Sequence, residues 1–110
     1  MSEATNVAGA IEIMKGRFNA GAAAGMDAVY QINLHGAEAG SHYLKISNGA
    51  LEVAEGTHDS PNITISMASN DFVDMTNGKL NATMAYMGGK LKISGDMGLA
   101  MKMQSLFPNK

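Results

Sequence analysis

The chain has no cysteine and no tryptophan. The first absence excludes disulfides and any cysteine-based metal or redox centre, and fits a reducing compartment. The second, with three tyrosines and three phenylalanines in all, leaves the core to aliphatic side chains and methionine. Positive charge is also short. Eight Lys and Arg stand against ten Asp and Glu, a formal net charge of −2, so there is no basic footprint for nucleic acid. No apolar run approaches the roughly 20 residues of a membrane-spanning helix. The first residues lack the charged and apolar regions of a secretory signal. The last four, Phe107-Pro108-Asn109-Lys110, are not a peroxisomal address of the Ser-Lys-Leu type. A cytoplasmic location is the expectation. At 110 residues, a single domain over 1–110 is expected, burying roughly 60–70% of its unfolded surface.

Methionine is what the chain has in excess, at ten residues. Its unbranched thioether adapts to neighbours of varied shape, so a core rich in it tolerates change.

The elements can be read in order. Residues 1–5 are expected to fray. Thr5 or Asn6 caps a first helix whose face is Val7, Ile11, Met14 and Phe18, spaced by three and four. Met26 to His35 alternates as a strand, with Ala28, Tyr30, Ile32 and Leu34 on one face. His42 to Ser47 and Ala50 to Glu55 flank Asn48-Gly49, a signature of a two-residue hairpin turn. That turn sets Ser47 opposite Ala50, Ile46 opposite Leu51, Lys45 opposite Glu52 and Leu44 opposite Val53. Two apolar pairs then share one face and an ion pair the other. A polar turn, 56–62, leads to a fourth alternating strand from Ile63 to Met67. Ser69, Asn70 or Asp71 caps a short helix that Gly78 ends.

The stretch Gly78–Met103 packs a helix, a strand and a helix into little chain, with Met84, Met87, Met97, Met101 and Met103 among them. Asn81 caps its first helix and Gly88-Gly89 ends it. Lys90 to Ser94 is a half-buried strand with Leu91 and Ile93 on one face, and Asp96 caps the last helix. At about 100° per residue, Leu99, Ala100, Met103, Leu106 and Phe107 form one stripe, and Met97 and Met101 lie beside it. The apolar belt is thus wider than one contact with a sheet requires. Two readings follow: a helix buried on two sides or at a protein interface, and a helix whose second side lines a cavity. Strands cluster first and helices later, so the class is α+β, with a five-stranded, mostly antiparallel sheet covered on one face by helices. The polar sides of the second, third and fourth strands face water.

Catalytic signatures are not found. His35, His42 and His58 have no metal-ligand spacing, although His35 and His42 could meet across a hairpin. No serine sits in a nucleophile elbow, and the glycine patterns fit no phosphate-binding loop. Asp71 and Asp74 lie one turn apart near a helix start, where the dipole favours acids. The expectation is no catalytic residue, no metal and no cofactor. Arg17, the single arginine, lies near a helix C-terminus, where the dipole favours a cation. Its other role would be to meet an anionic head group.

From Asn62 onward the chain resembles the lipid-binding domain of the sterol carrier protein type 2 family, the non-specific lipid-transfer proteins. The residues that carry this are Ile63-Thr64-Ile65-Ser66-Met67-Ala68, Asp71-Phe72, Thr76-Asn77-Gly78-Lys79-Leu80-Asn81, Gly89-Lys90-Leu91-Lys92-Ile93-Ser94-Gly95-Asp96 and Met97-Gly98-Leu99-Ala100-Met101-Lys102. The resemblance implies a hydrophobic tunnel between sheet and helices. It also implies unselective, non-catalytic binding, with transfer as a further role, of fatty acids, fatty acyl-CoA, sterols or phospholipids. On that reading Phe72, Met75, Leu80, Met84, Met87, Ile93, Met97, Met101 and Leu106 line or gate the tunnel, with Arg17 at the head group. The partners it admits are the lipid, a membrane in transient contact, a weakly associated second copy and a lipid-metabolising enzyme. Two departures bear on what is carried over. The peroxisomal signal of eukaryotic members is missing, which points to a bacterial or cytosolic member. A domain that stands alone is also the expectation, whereas in many proteins it is fused to enzymes of lipid metabolism. The rivals are a structural or dimerisation domain, and a cryptic enzyme or an accessory subunit that presents lipid to one.

Overall fold

In the computed structural model, which describes residues 3–108, the Asn48-Gly49 turn has positive φ at both positions, 47° and 85°. It joins β2 (Gly40–Ser47) to β3 (Ala50–Glu55) in the register its sequence predicts, Ser47 opposite Ala50 and Leu44 opposite Val53. Before them run α1 (Val7–Arg17) and β1 (Asp27–His35), and after them β4 (Ile63–Ala68), α2 (Ser69–Thr76), α3 (Ala82–Met87), β5 (Leu91–Gly95) and α4 (Met97–Leu106). The sheet order is β3-β2-β1-β4-β5. Every neighbouring pair is antiparallel except β1 with β4, which is parallel.

That parallel pair depends on the connection 56–62, which crosses two strands. Register makes the crossing short, because Glu55, His42, Ile32 and Ile65 occupy one cross-sheet row. Gln31 holds the connection down. Its side-chain amide donates to the carbonyls of His42 and Gly56, both at 3.1 Å, and its oxygen accepts from the His58 N–H at 2.8 Å. Gln31 is therefore buried, as is Val29 beside it, on a sheet face that is otherwise mostly polar.

The helices cover the other face. Leu44, Tyr30 and Ile63 form one helix-side row; Ile32, Ile65 and Ile93 form the next; Leu34, Met67 and Leu91 form a third. Asn6 caps α1 by accepting from Gly9 N–H at 2.8 Å, and Glu38 of the β1–β2 loop accepts from Val7 N–H. The buried face of α1 is Val7, Ala10 and Met14; Ile11 and Phe18 sit at its margins.

Two local expectations are corrected. No side chain caps α2, and its N-cap position is Ala68. The β4 ladder runs on to Ala68, opposite His35, so the helix begins one residue early. Ser69 Oγ instead accepts from Glu38 N–H at 3.1 Å, holding the loop that caps α1. Ahead of α1 the chain does not fray throughout, because Ala4 is buried and exchanges two hydrogen bonds with the Asn77 side chain, 2.8 and 2.9 Å. The expected fraying of residues 1 and 2, and the reading of Asn109-Lys110, lie outside the described residues.

Candidate functional site

Between the helices and the β1–β4–β5 end of the sheet lies a cavity of about 620 Å³. Its floor is Ile32, Ile65 and Ile93, with Met67 and Leu91 beside them. Branched side chains on three adjacent strands make that floor stiff. Its walls are soft: Met14 from α1, Met75 from α2, and Met97, Met101 and Met103 from α4. Phe72, Leu80, Ala82, Ala100, Phe107 and Pro108 complete the apolar lining.

The wall made by α4 is lightly attached. Leu106 is the one fully buried residue of that helix, and Leu99, Ala100 and Met103 are half-buried. One polar tether is Tyr30, whose buried hydroxyl donates to the Leu99 carbonyl at 2.9 Å. Burial, reinforced by the nearby Asp96 carboxylate, pushes the Tyr30 hydroxyl up to about 12, so it remains a donor at any ordinary pH. At its C-terminal end α4 meets the end of α1: the Phe18 and Phe107 rings pack at a tilt of 47° with centroids 5.6 Å apart, and Asn19 N–H donates to the Leu106 carbonyl.

Two ionisable side chains line the cavity among the described residues, Arg17 and Tyr86. Arg17 Nη1 donates to the Thr76 carbonyl at 2.8 Å. The last turn of α2 has no basic residue of its own, so Arg17 supplies the cation that its dipole favours. That role differs from the one its position near the end of α1 suggests. Arg17 pairs with no carboxylate among the described residues. A guanidinium has five donors, and one is engaged by the described residues.

Of the residues singled out from the sequence, Phe72, Met75, Leu80, Ile93, Met97, Met101 and Arg17 stand together at this cavity. Three expected residues are not in its lining. Met84 and Met87 point outward, 70% and 79% exposed. The burial of Ala85 sets the rotation of α3, which turns Ala82, Thr83 and Tyr86 inward instead. Leu106 lies half a helical turn from Met97 in projection, on the core side of α4, and is wholly buried. The sequence reading missed Met14, the floor residues Ile32, Ile65, Met67 and Leu91, and Tyr86. Strand alternation placed the floor residues on the helix side but could not say which end of the sheet stays uncovered.

A second, shallower concavity of about 530 Å³ runs between α1 and the outer end of β2 and β3. It mixes Val7, Ile11 and Val53 with Glu12, Lys15, Glu38, His42 and Glu55. His42 faces the helix side there, and strand alternation puts His35 on the opposite face, so the two histidines do not meet. No group of three or more metal-ligating side chains is found among the described residues.

Comparison with known proteins agrees with this architecture. The profile of the SCP-2 sterol transfer family matches residues 12–108. Hydroxysteroid dehydrogenase-like protein 2 of Xenopus tropicalis is 44% identical over 79 residues, 71% of this chain and 19% of that protein. The chain thus spans about a fifth of the length of such relatives. Palmitated sterol carrier protein 2-like 2 of Aedes aegypti superposes with a TM-score of 0.76 at 25% identity, over 94% of this chain and 96% of that one. A stereoselective inverting sec-alkylsulfatase from Pseudomonas sp. shares the fold alone, with a TM-score of 0.75 at 19% identity, over 86% of this chain and 15% of that one.

Proposed function

The chain belongs to the SCP-2 sterol transfer family, and from that premise we propose that it is a non-catalytic lipid carrier. Its cargo is an aliphatic chain or similarly apolar body, held in the cavity over Ile32, Ile65 and Ile93. One observation carries this reading: a stiff β-branched floor faces a wall of adaptable methionines on a helix that packs lightly. The volume lies within the range of pockets that take small ligands, roughly 300–1,000 Å³. Each methylene removed from water contributes about 0.8 kcal/mol. A dozen would give about 10 kcal/mol, less the cost of ordering chain and helix. Arg17 is the group at the cavity suited to a carboxylate or phosphate head. The palmitated Aedes aegypti relative is consistent with an acyl cargo.

A second reading follows from the relatives. They are named as dehydrogenase-like proteins, and this chain corresponds to a fifth of their length. In that setting the domain would present lipid to an enzyme rather than ferry it. Both readings share the cavity.

The test is native mass spectrometry of the purified chain, followed by solvent extraction of whatever is bound. A monomer carrying mixed fatty acids or phospholipids supports the carrier. An empty monomer that also refuses a fluorescent fatty acid sinks it, and an empty dimer moves the reading to a protein interface.

A further inference from the structure

The large apolar side chains left exposed among the described residues are Met84, Tyr86 and Met87 on α3, and Met97 and Met101 on α4. Four of these five are methionines, and the chain has no cysteine. An oxidant arriving from solvent therefore meets thioethers and no thiol. Tyr86, Met97 and Met101 also line the cavity. A side chain that both lines a cavity and meets water marks the mouth, so the cavity opens between α3 and α4.

The exposed methionines fall into two pairs. Met97 and Met101, about one helical turn apart on α4, stand in the wall at the mouth, 44% and 77% exposed. Met84 and Met87, 70% and 79% exposed, stand outside the lining. Met14 and Met67 are deeper in the lining and buried. Oxidation follows exposure, so both outer pairs are open to it, but only one pair belongs to the cavity.

A hydroperoxide supplies the oxygen. The thioether sulfur attacks one peroxide oxygen, an S–O bond forms and the O–O bond breaks. The departing oxygen takes up a proton and leaves as water, or as an alcohol from an alkyl hydroperoxide. Sulfur is oxidised by two electrons and the peroxide is reduced by two. The product is a methionine sulfoxide, a polar side chain that methionine sulfoxide reductases return to the thioether.

We propose that Met97 and Met101 are a site of reversible oxidation by hydroperoxides, and that their sulfoxides loosen the hold of the cavity on apolar cargo. A sulfoxide oxygen needs hydrogen-bond donors, and an aliphatic chain laid against it has none. Met97 lies on the opposite side of α4 from Leu106, the buried anchor of that helix, so the added oxygen enters the cavity side and not the core. The coupling is reciprocal: if oxidation weakens binding, bound cargo opposes oxidation at the same two positions. The effect on cargo rests on the carrier reading; the oxidation site rests on exposure at the mouth.

The test treats the full chain with hydrogen peroxide and maps the added oxygen by peptide mass spectrometry. Oxygen is expected at Met84, Met87, Met97 and Met101 well before Met14 and Met67. Affinity for a fluorescent fatty acid should then fall on the order of tenfold, with the melting temperature unchanged, and return after treatment with a methionine sulfoxide reductase and dithiothreitol. Met84→Leu with Met87→Leu should show the same fall. Met97→Leu with Met101→Leu, whatever its starting affinity, should show none. Saturation with fatty acid beforehand should slow oxidation at Met97 and Met101 and leave Met84 and Met87 as reactive as before. A fall that persists in the Met97→Leu, Met101→Leu variant, or that tracks a falling melting temperature, would overturn the proposal. So would full affinity in a chain oxidised at both positions. Fatty-acid uptake with Met97 and Met101 left unoxidised sinks the site and spares the carrier. An untreated chain that refuses the fatty acid sinks the carrier and the effect on cargo, while early oxidation at Met97 and Met101 still upholds the site.

Discussion

The hydroxyl of Tyr30, at the centre of the sheet, donates to the main-chain carbonyl of Leu99 in α4 at 2.9 Å. This bond joins the stiff floor of the cavity to its loosest wall. Replacing Tyr30 by Phe should therefore cost about 1 kcal/mol of stability and speed amide exchange in α4 more than elsewhere. The same variant removes a pH dependence. The folded state holds the hydroxyl neutral up to about 12, chiefly through burial and next through Asp96, against 10.0 in the unfolded chain. Between those values the unfolded state binds fewer protons than the folded state, so stability falls as pH rises from 10 toward 12 and is flat in this respect below 10. Urea unfolding at pH 8, 10 and 11 should show the alkaline fall in the wild type. The Tyr30→Phe variant should lack this contribution.

Leu106 and Met101 separate core from cavity within one helix. Leu106 is fully buried, and Leu106→Ala should destabilise by roughly 2–5 kcal/mol, provided the wall it anchors does not collapse. Met101 is 77% exposed and lines the cavity. Met101→Asp should leave stability within about 0.5 kcal/mol but weaken binding of a fluorescent fatty acid. Equal loss of stability in both variants would refute the placement of Met101 on the cavity wall.

Gly95 and Gly56 both have positive φ, 112° and 116°, but they differ in surroundings. A Cβ on Gly95 would stand 2.6 Å from the Asn62 carbonyl oxygen, whereas one on Gly56 would meet nothing within 4 Å. Gly56→Ala should cost the strain of the backbone alone, about 1 kcal/mol. Gly95→Ala adds a clash with main chain at the start of β4, where Asn62 also accepts from Asp96 N–H. It should cost about 3 kcal/mol or more and loosen the start of α4. Chemical unfolding of the two variants side by side checks the difference.

Legibility followed the range of the interaction. The Asn48-Gly49 hairpin and the Asn6, Asn81 and Asp96 caps were readable because each is decided within a few residues. The parallel pairing of β1 with β4 was not specified, because it depends on Gln31 catching a connection 25 residues away. The cap of α2 was misjudged because strand pairing outcompeted a serine cap. Residue type pointed equally to Met75, Met97 and Met101, which line the cavity, and to Met84 and Met87, which face outward. Only the phase of α3 distinguishes those, and six residues are too few for a periodic signal. The burial of Ala4 was invisible for another reason, since its partner Asn77 lies 73 positions away.

Arg17 is where a structural and a ligand role overlap, and the two can be separated. Its bond to the Thr76 carbonyl closes α2, so Arg17→Met should lower stability by about 1–2 kcal/mol whatever the cavity holds. If its unused donors also hold an anionic head group, the variant should bind a fatty acid on the order of tenfold more weakly while keeping its affinity for the alcohol of the same chain length. Lysine should restore part of the carboxylate preference, since it keeps the charge but not the planar fork. Competition of each lipid against a fluorescent fatty acid, run at one salt concentration, measures both affinities. Parallel loss for acid and alcohol would mean that Arg17 only shapes the wall through α2. Selective loss for the acid would mean that the head group lies at the α1–α2 end of the cavity, with its chain running along Ile32, Ile65 and Ile93 toward the mouth.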